Sequence, residues 1–161
     1  MNVSCTNIET LVSLTLNKSK GEEKIRVVLD GNNIAYSSLE NGKPKISNIV
    51  DTLNKLVINP EVDLVAVFIS AKLRHTIDKP NILEELLKEG ILTQTPAEVP
   101  DDYFIRECAE EFDVFIVSND LYRTQRKHYP WINDKRVPFV VVRGKIIFAG
   151  QLSPKYQDYE D

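Results

Sequence analysis

Four short apolar runs constrain this chain more than any other feature of it. They are Ile25–Leu29, "DLVAVFIS" (63–70), "ILTQT" (91–95) and "VFIVS" (114–118). Each has the length of a strand, and the first two read as strands buried on both faces. The segments between them repeat at helical spacing. Ile46, Ile49, Val50, Leu53, Leu56 and Val57 line one helical face. "DKPNILEELLKEG" (78–90) has Pro80 near its first turn and Gly90 as its stop. "DDYFIRECAEEF" (101–112) opens with acids, where the helix dipole favours them. This alternation predicts an α/β sandwich with a mostly parallel central sheet. "VPFVVVRGKIIFAG" (137–150) adds two strands around an Arg143-Gly144 turn, a hairpin expected at the sheet edge. Residues 1–23 read as an extension, with a short amphipathic helix over 6–17 and a polar linker. Residues 24–150 form the expected domain, and 151–161 a polar tail.

At 161 residues the chain fits one domain with a real core. No apolar run approaches the roughly 20 residues of a membrane span. The first residues lack a basic region and carry Glu9 within their apolar stretch, so no signal peptide is expected. Cys5 and Cys108 are isolated, which points to a reduced, cytoplasmic protein and to neither a disulfide nor a zinc framework. Cys108, among Ile105, Ala109 and Phe112, reads as core. A net charge of −4 argues against non-specific coating of nucleic acid, so the distribution of charge matters more than its sum.

The acids are distributed in a telling way. Asp30 ends the first strand in "VVLDGNN", Asp101 and Asp102 open the last long helix, and Asp120 ends the fourth strand in "VSND". In a doubly wound order such as 3-2-1-4-5, strands one and four are neighbours and the order reverses between them. Asp30 and Asp120 would then face one crevice, with the helix start at its rim. Carboxylates crowded there repel one another unless a cation sits among them. Hard oxygen donors suit Mg²⁺ or Mn²⁺ and the transfer or hydrolysis of phosphate esters. Taken singly, an Asp after a strand is a common turn former, and Asp101 would serve as a helix cap. It is the conjunction at two adjacent strand ends that favours a metal site.

Other strand-end chemistries are absent. Only Gly31 follows strand one, so there is no dinucleotide-binding GxGxxG, and neither a GxxxxGK[ST] phosphate loop nor a GxSxG elbow occurs. An aspartyl-nucleophile phosphatase would carry a second Asp where Asn32 stands.

"VVLDGNNIA", "VFISA" and "PDDYFIRECAEEFDVFIVSNDLYR" together resemble the NYN/PIN-like ribonuclease domain of the Regnase family, over about residues 25–149. The resemblance implies a PIN-like Rossmannoid three-layer sandwich and a Mg²⁺- or Mn²⁺-dependent endoribonuclease. Its roles carry over to Asp30, Asp101, Asp102 and Asp120 as the acidic, metal-holding cluster. Asn33 takes the place of an Asn that orients Asp30 or a water. Ser118 and Asn119 match polar residues beside the last acid, and Arg123 matches an Arg three residues beyond it. Thr124 stands where the family often has a further acid, and no CCCH zinc finger is present. Because PIN-like domains often dimerise, the resemblance also admits a homodimer.

Two basic segments flank the expected site. One holds Lys72, Arg74, His75 and Lys79; the other holds Arg123, Arg126, Lys127, Lys135 and Arg136, interleaved with Tyr122, Tyr129 and Trp131. Such a mixture suits single-stranded RNA or RNA loops, with phosphates on the cations and bases on the rings. Tyr129 and Trp131 read more readily as a local core, and the two histidines as solvent- or RNA-facing. The expected function is hydrolysis of phosphodiester bonds in single-stranded RNA by a Mg²⁺-activated water. The alternatives are a catalytically weak RNA-binding or interaction module on the same fold, and a small-molecule phosphatase.

Overall fold

The computed structural model describes Glu9, Leu11 and residues 24–153. Cys5, most of the helix expected over 6–17 and the tail beyond 153 lie outside the described residues. Glu9 and Leu11 are helical, and Leu11 is buried in the core. In chain order the elements are β1 (Ile25–Asp30), α1 (Gly31–Ala35), β2 (Leu39–Glu40), β3 (Lys43–Pro44), α2 (Ile46–Val57), β4 (Val62–Ile69), α3 (Leu73–Thr76) and α4 (Pro80–Lys88). There follow β5 (Thr93–Gln94), α5 (Asp101–Phe112), β6 (Phe115–Val117), α6 (Ile132–Lys135), β7 (Arg136–Val137), β8 (Phe139–Val142), β9 (Lys145–Phe148) and a 3-10 turn at Gly150–Leu152.

The central sheet has the order β5-β4-β1-β6-β7, with every pair parallel. The chain moves outward from β1 through β4 to β5, then returns to the other flank of β1 for β6 and β7. Strand order therefore reverses between β1 and β6, as in the doubly wound 3-2-1-4-5 order. Beyond the carboxyl ends of those two strands lies the crevice in which such folds bind ligands.

β1 shows why its apolar run is continuous. Val27 and Leu29 join one core with Leu53 of α2 and Leu83 of α4, while Val28 joins a second core with Ile105 and Ala109 of α5. Alternate residues of a strand point to opposite faces, so a strand between two helical layers is apolar throughout. β4 carries one extra residue against β1, the register stepping from Val27↔Leu64 to Val28↔Ala66. This bulge shifts the alternation, so that Leu64 and Val67 serve the first core, and Val65 and Ala66 the second.

Two expectations are corrected. The third strand is shorter than 91–95, because the N–H groups of Ile91 and Leu92 both bond to the Leu86 carbonyl and finish α4 around left-handed Gly90. The C-terminal hairpin forms as expected around Arg143 (φ 51°) and Gly144 (φ 75°), the pair of positive φ values that a two-residue hairpin turn needs. It is nevertheless a two-stranded sheet of its own, and β7 edges the main sheet instead. The backbone N–H and C=O of Phe139 are taken by the side-chain amide of Asn119, so β8 does not continue the parallel ladder. The hairpin docks on α2, where Lys55 Nζ donates to the Ile146 carbonyl at 2.6 Å and lies 5.3 Å from the centre of the Phe148 ring.

Candidate active site

Asp30 is the last residue of β1 and the N-cap of α1, where its Oδ1 accepts the Asn33 N–H at 3.3 Å. Its Oδ2 accepts the hydroxyls of Ser118 at 2.8 Å and Tyr122 at 2.9 Å. The carboxyl is 6% exposed. Burial pushes its pKa up to about 6; the three donors oppose that shift, and the Asp101 carboxylate adds to it. Among the described residues no Lys or Arg pairs with Asp30, Asp101, Asp102 or Asp120. Gly31 explains how the turn fits. A Cβ there would lie 2.6 Å from the Phe68 carbonyl oxygen and 2.6 Å from Ile69 Cγ2, so only glycine lets α1 start against β4.

The amides beside Asp30 fasten this turn to both neighbouring strands. Asn32 donates to Ser70 Oγ at 2.6 Å and accepts the Ser70 N–H at 2.9 Å, at the end of β4. Asn33 Oδ1 accepts the Asn119 N–H at 2.8 Å, beyond β6. Asn33, expected to orient Asp30 or a water, bonds Asp30 through its backbone N–H and braces the two strand ends with its amide oxygen. Ser118 and Asn119, the polar residues beside the last acid, are bonded within the protein. Ser118 is fully buried, its Oγ donating to Asp30 and accepting the Asp120 N–H, and the Asn119 amide is engaged with Phe139.

Tyr122 is the positioning residue that sequence reasoning missed. Its φ of 45° is left-handed, its N–H is held by Asp120 Oδ1 at 2.8 Å, and this turn drives its hydroxyl inward to Asp30. The readable signal was the Asp two residues before it, an Asx-turn former.

Asp101 and Asp102 are the first two residues of α5, with Pro100 as N-cap, so Asp101 does not cap the helix with its side chain. Burial raises the Asp101 carboxyl, and the Asp102 and Asp120 carboxylates raise it further; backbone N–H groups at the helix start pull the other way. The four acids therefore share one electrostatic field. A cleft of about 810 Å³ runs past Asp102, Asp120 and Arg123, and a second of about 360 Å³ runs past Asn32, Asp101 and Lys72. The two meet at Val99 and Pro100.

The basic segments divide. Lys72, Arg123 and Lys127 are exposed, and Arg126 is half-buried. Arg74 is tied to Glu84 on α4, Nε to Oε1 at 3.1 Å, with both side chains partly exposed. Lys135 pairs with Asp113 at 2.9 Å, and Arg136 donates to the Ser118 carbonyl at 3.2 Å. Tyr129 and Trp131 pack edge to face at 6.4 Å, and the Arg106 guanidinium sits 4.1 Å from the Tyr129 ring centre, a local core. Cys108 is buried core, as expected.

The donors around the crevice are oxygens only, the chemistry of a hard cation. Among the described residues no three His, Cys, Asp or Glu side chains converge into a full ligand set. The arrangement fits an ion such as Mg²⁺ that keeps most of its water and takes one or two carboxylates.

The family model described as the Zc3h12a-like ribonuclease NYN domain matches residues 23–153. Two solved structures of a nuclear protein-only RNase P 2 from Arabidopsis thaliana have a similar fold. One matches at TM-score 0.62 and 18% identity, over 89% of this chain and 35% of that one. The other matches at TM-score 0.61 and 18% identity, over 92% and 33%. The chain thus spans about a third of the length of these structures. No curated protein matches it significantly. Among the described residues no helix is long and apolar enough to cross a membrane.

Proposed function

Since this chain belongs to the Zc3h12a-like ribonuclease NYN domain family, we propose that it is a divalent-metal-dependent endoribonuclease acting on single-stranded RNA. The observation that carries this reading is the Asp30 carboxyl, buried at the switch of the sheet beside Asp101, with no cation paired to either among the described residues. Four carboxylates in one field are costly unless a positive charge joins them on function.

Asp30 and Asp120 are the chief ligands for Mg²⁺ or Mn²⁺ in this reading, with Asp101 and Asp102 binding it directly or through water. When bound, the ion supplies polarisation of a phosphate oxygen and an acidified water. The chain's own residues do the placing. Ser118 and Tyr122 fix Asp30 Oδ2 in one orientation. Asn32 and Asn33 keep the three strand ends in register. Arg123, exposed in the larger cleft, and Lys72, exposed in the smaller, lie on either side of the acids and suit phosphates before and after the scissile bond. Arg126 and Lys127 extend the basic flank. Phosphates drawn to both clefts would bring one linkage to the acids that line them, Asp101, Asp102 and Asp120.

A second reading, an RNA-binding module without efficient cleavage, is favoured by the incomplete convergence of the acids and by Thr124 in the cleft wall. Titration with Mn²⁺ separates the two. The nuclease reading expects a rise in melting temperature together with cleavage of an unstructured RNA that EDTA abolishes. RNA binding with no cleavage in Mg²⁺ or Mn²⁺ would sink it in favour of the second.

A further inference from the structure

The larger cleft holds a feature that metal chemistry does not use. Tyr103, the third residue of α5, is 43% exposed in that cleft, next to Asp102. Leu121, 38% exposed, lines the same space beside Asp120. A large ring and a leucine open to water between two acids contribute nothing to the core, and exposed apolar surface inside a cleft marks a place where an apolar face lands.

The Tyr103 ring is also held in place. Phe104 meets it edge-on at 5.2 Å and 86°, and the Arg106 guanidinium lies 5.3 Å from its centre. Arg106 itself is only 9% exposed and is fixed against Tyr129. A ring that is pre-positioned loses little entropy when a flat partner stacks on it. Arg123 offers a guanidinium on the cleft wall for the phosphate such a partner would carry.

We propose that Tyr103, flanked by Leu121, is a stacking platform for one unpaired nucleobase of the RNA strand, the base next to the linkage held over the acids. The proposal rests on the ribonuclease reading of the same site. It assigns the cleft a strand whose bases are unstacked, which a duplex cannot supply, so the platform also selects for single strands. The Asp102 and Asp120 carboxylates beside the ring disfavour an anionic ligand without its counter-charge, and Arg123 provides that.

The test uses the full chain and a fluorescein-labelled RNA of about ten nucleotides, together with copies lacking one base at each position in turn. Anisotropy with the cation chelated gives affinity, and single-turnover cleavage in Mn²⁺ gives rate. Tyr103→Ala should lose about 5- to 100-fold in affinity, and Tyr103→Phe should recover most of it. Removing the base at one particular position should cost the wild type a similar factor and cost Tyr103→Ala nothing. Cleavage by the wild type with unchanged affinity of Tyr103→Ala, or equal sensitivity of both proteins to every missing base, overturns the platform and leaves the nuclease reading standing. A wild-type protein that neither binds nor cleaves any of these strands overturns both.

Discussion

At neutral pH the Asp30 carboxylate sits in a buried site with three hydrogen-bond donors and no cationic partner among the described residues. Its pKa rises from 3.8 to about 6 on folding. The folded state therefore holds the proton more tightly than the unfolded chain does. Well below pH 3.8 both states are protonated and Asp30 adds no penalty. As pH climbs through 6 the full penalty develops, at most ~3 kcal/mol. In metal-free protein, Asp30→Asn should thus raise the melting temperature at pH 7.5, and the gain should shrink as pH falls and vanish well below pH 3.8. Mn²⁺ should stabilise the wild type and not the variant. Thermal melts across that range check both statements; a variant less stable than wild type at pH 7.5 counts against the uncompensated charge. An acid ending an apolar strand marked Asp30 in the sequence. Of its Tyr122 partner the sequence shows only the turn at Asp120; that the hydroxyl reaches Asp30 depends on the left-handed backbone at Tyr122.

The elements around Asp30 show where periodicity stops being informative. "DGNN" reads as a turn, and it is in fact the start of α1, one helical turn wedged on β4. Helical period needs more residues than α1 has, so only its glycine betrays the close approach. Gly31→Ala would press a methyl group into the Phe68 carbonyl and Ile69, displacing backbone that the sheet holds in register. A loss of about 1–3 kcal/mol is expected, read as a lower denaturant midpoint; an unchanged midpoint would mean that α1 is not seated against β4. The long amphipathic helices were readable almost to the residue, as α5 at Asp101–Phe112 shows. The edge of the sheet was not. β7 is two residues long, and β8 leaves the ladder because Asn119, distant in sequence, satisfies Phe139.

Across the whole molecule the layered, mostly parallel sheet followed from the apolar runs, because a strand buried on both faces has to lie inside a sheet with helices above and below; the doubly wound order was one arrangement compatible with them. That order alone brought Asp30 and the Asp120 strand end to one crevice. The division of labour among basic residues was hidden, since a sequence gives no sign that Arg74 faces Glu84 or Lys135 faces Asp113. What remains exposed in the clefts that hold the acids is a narrower set, Lys72 and Arg123. The most direct measurement is single-turnover cleavage of an unstructured RNA in Mn²⁺ by wild type and by Asp30→Asn, each shown to be folded by its melt. Internal cuts by the wild type, leaving 5′-phosphate ends, are expected, with a loss of at least about a hundredfold in the variant. Equal cleavage by the two proteins would contradict the nuclease reading.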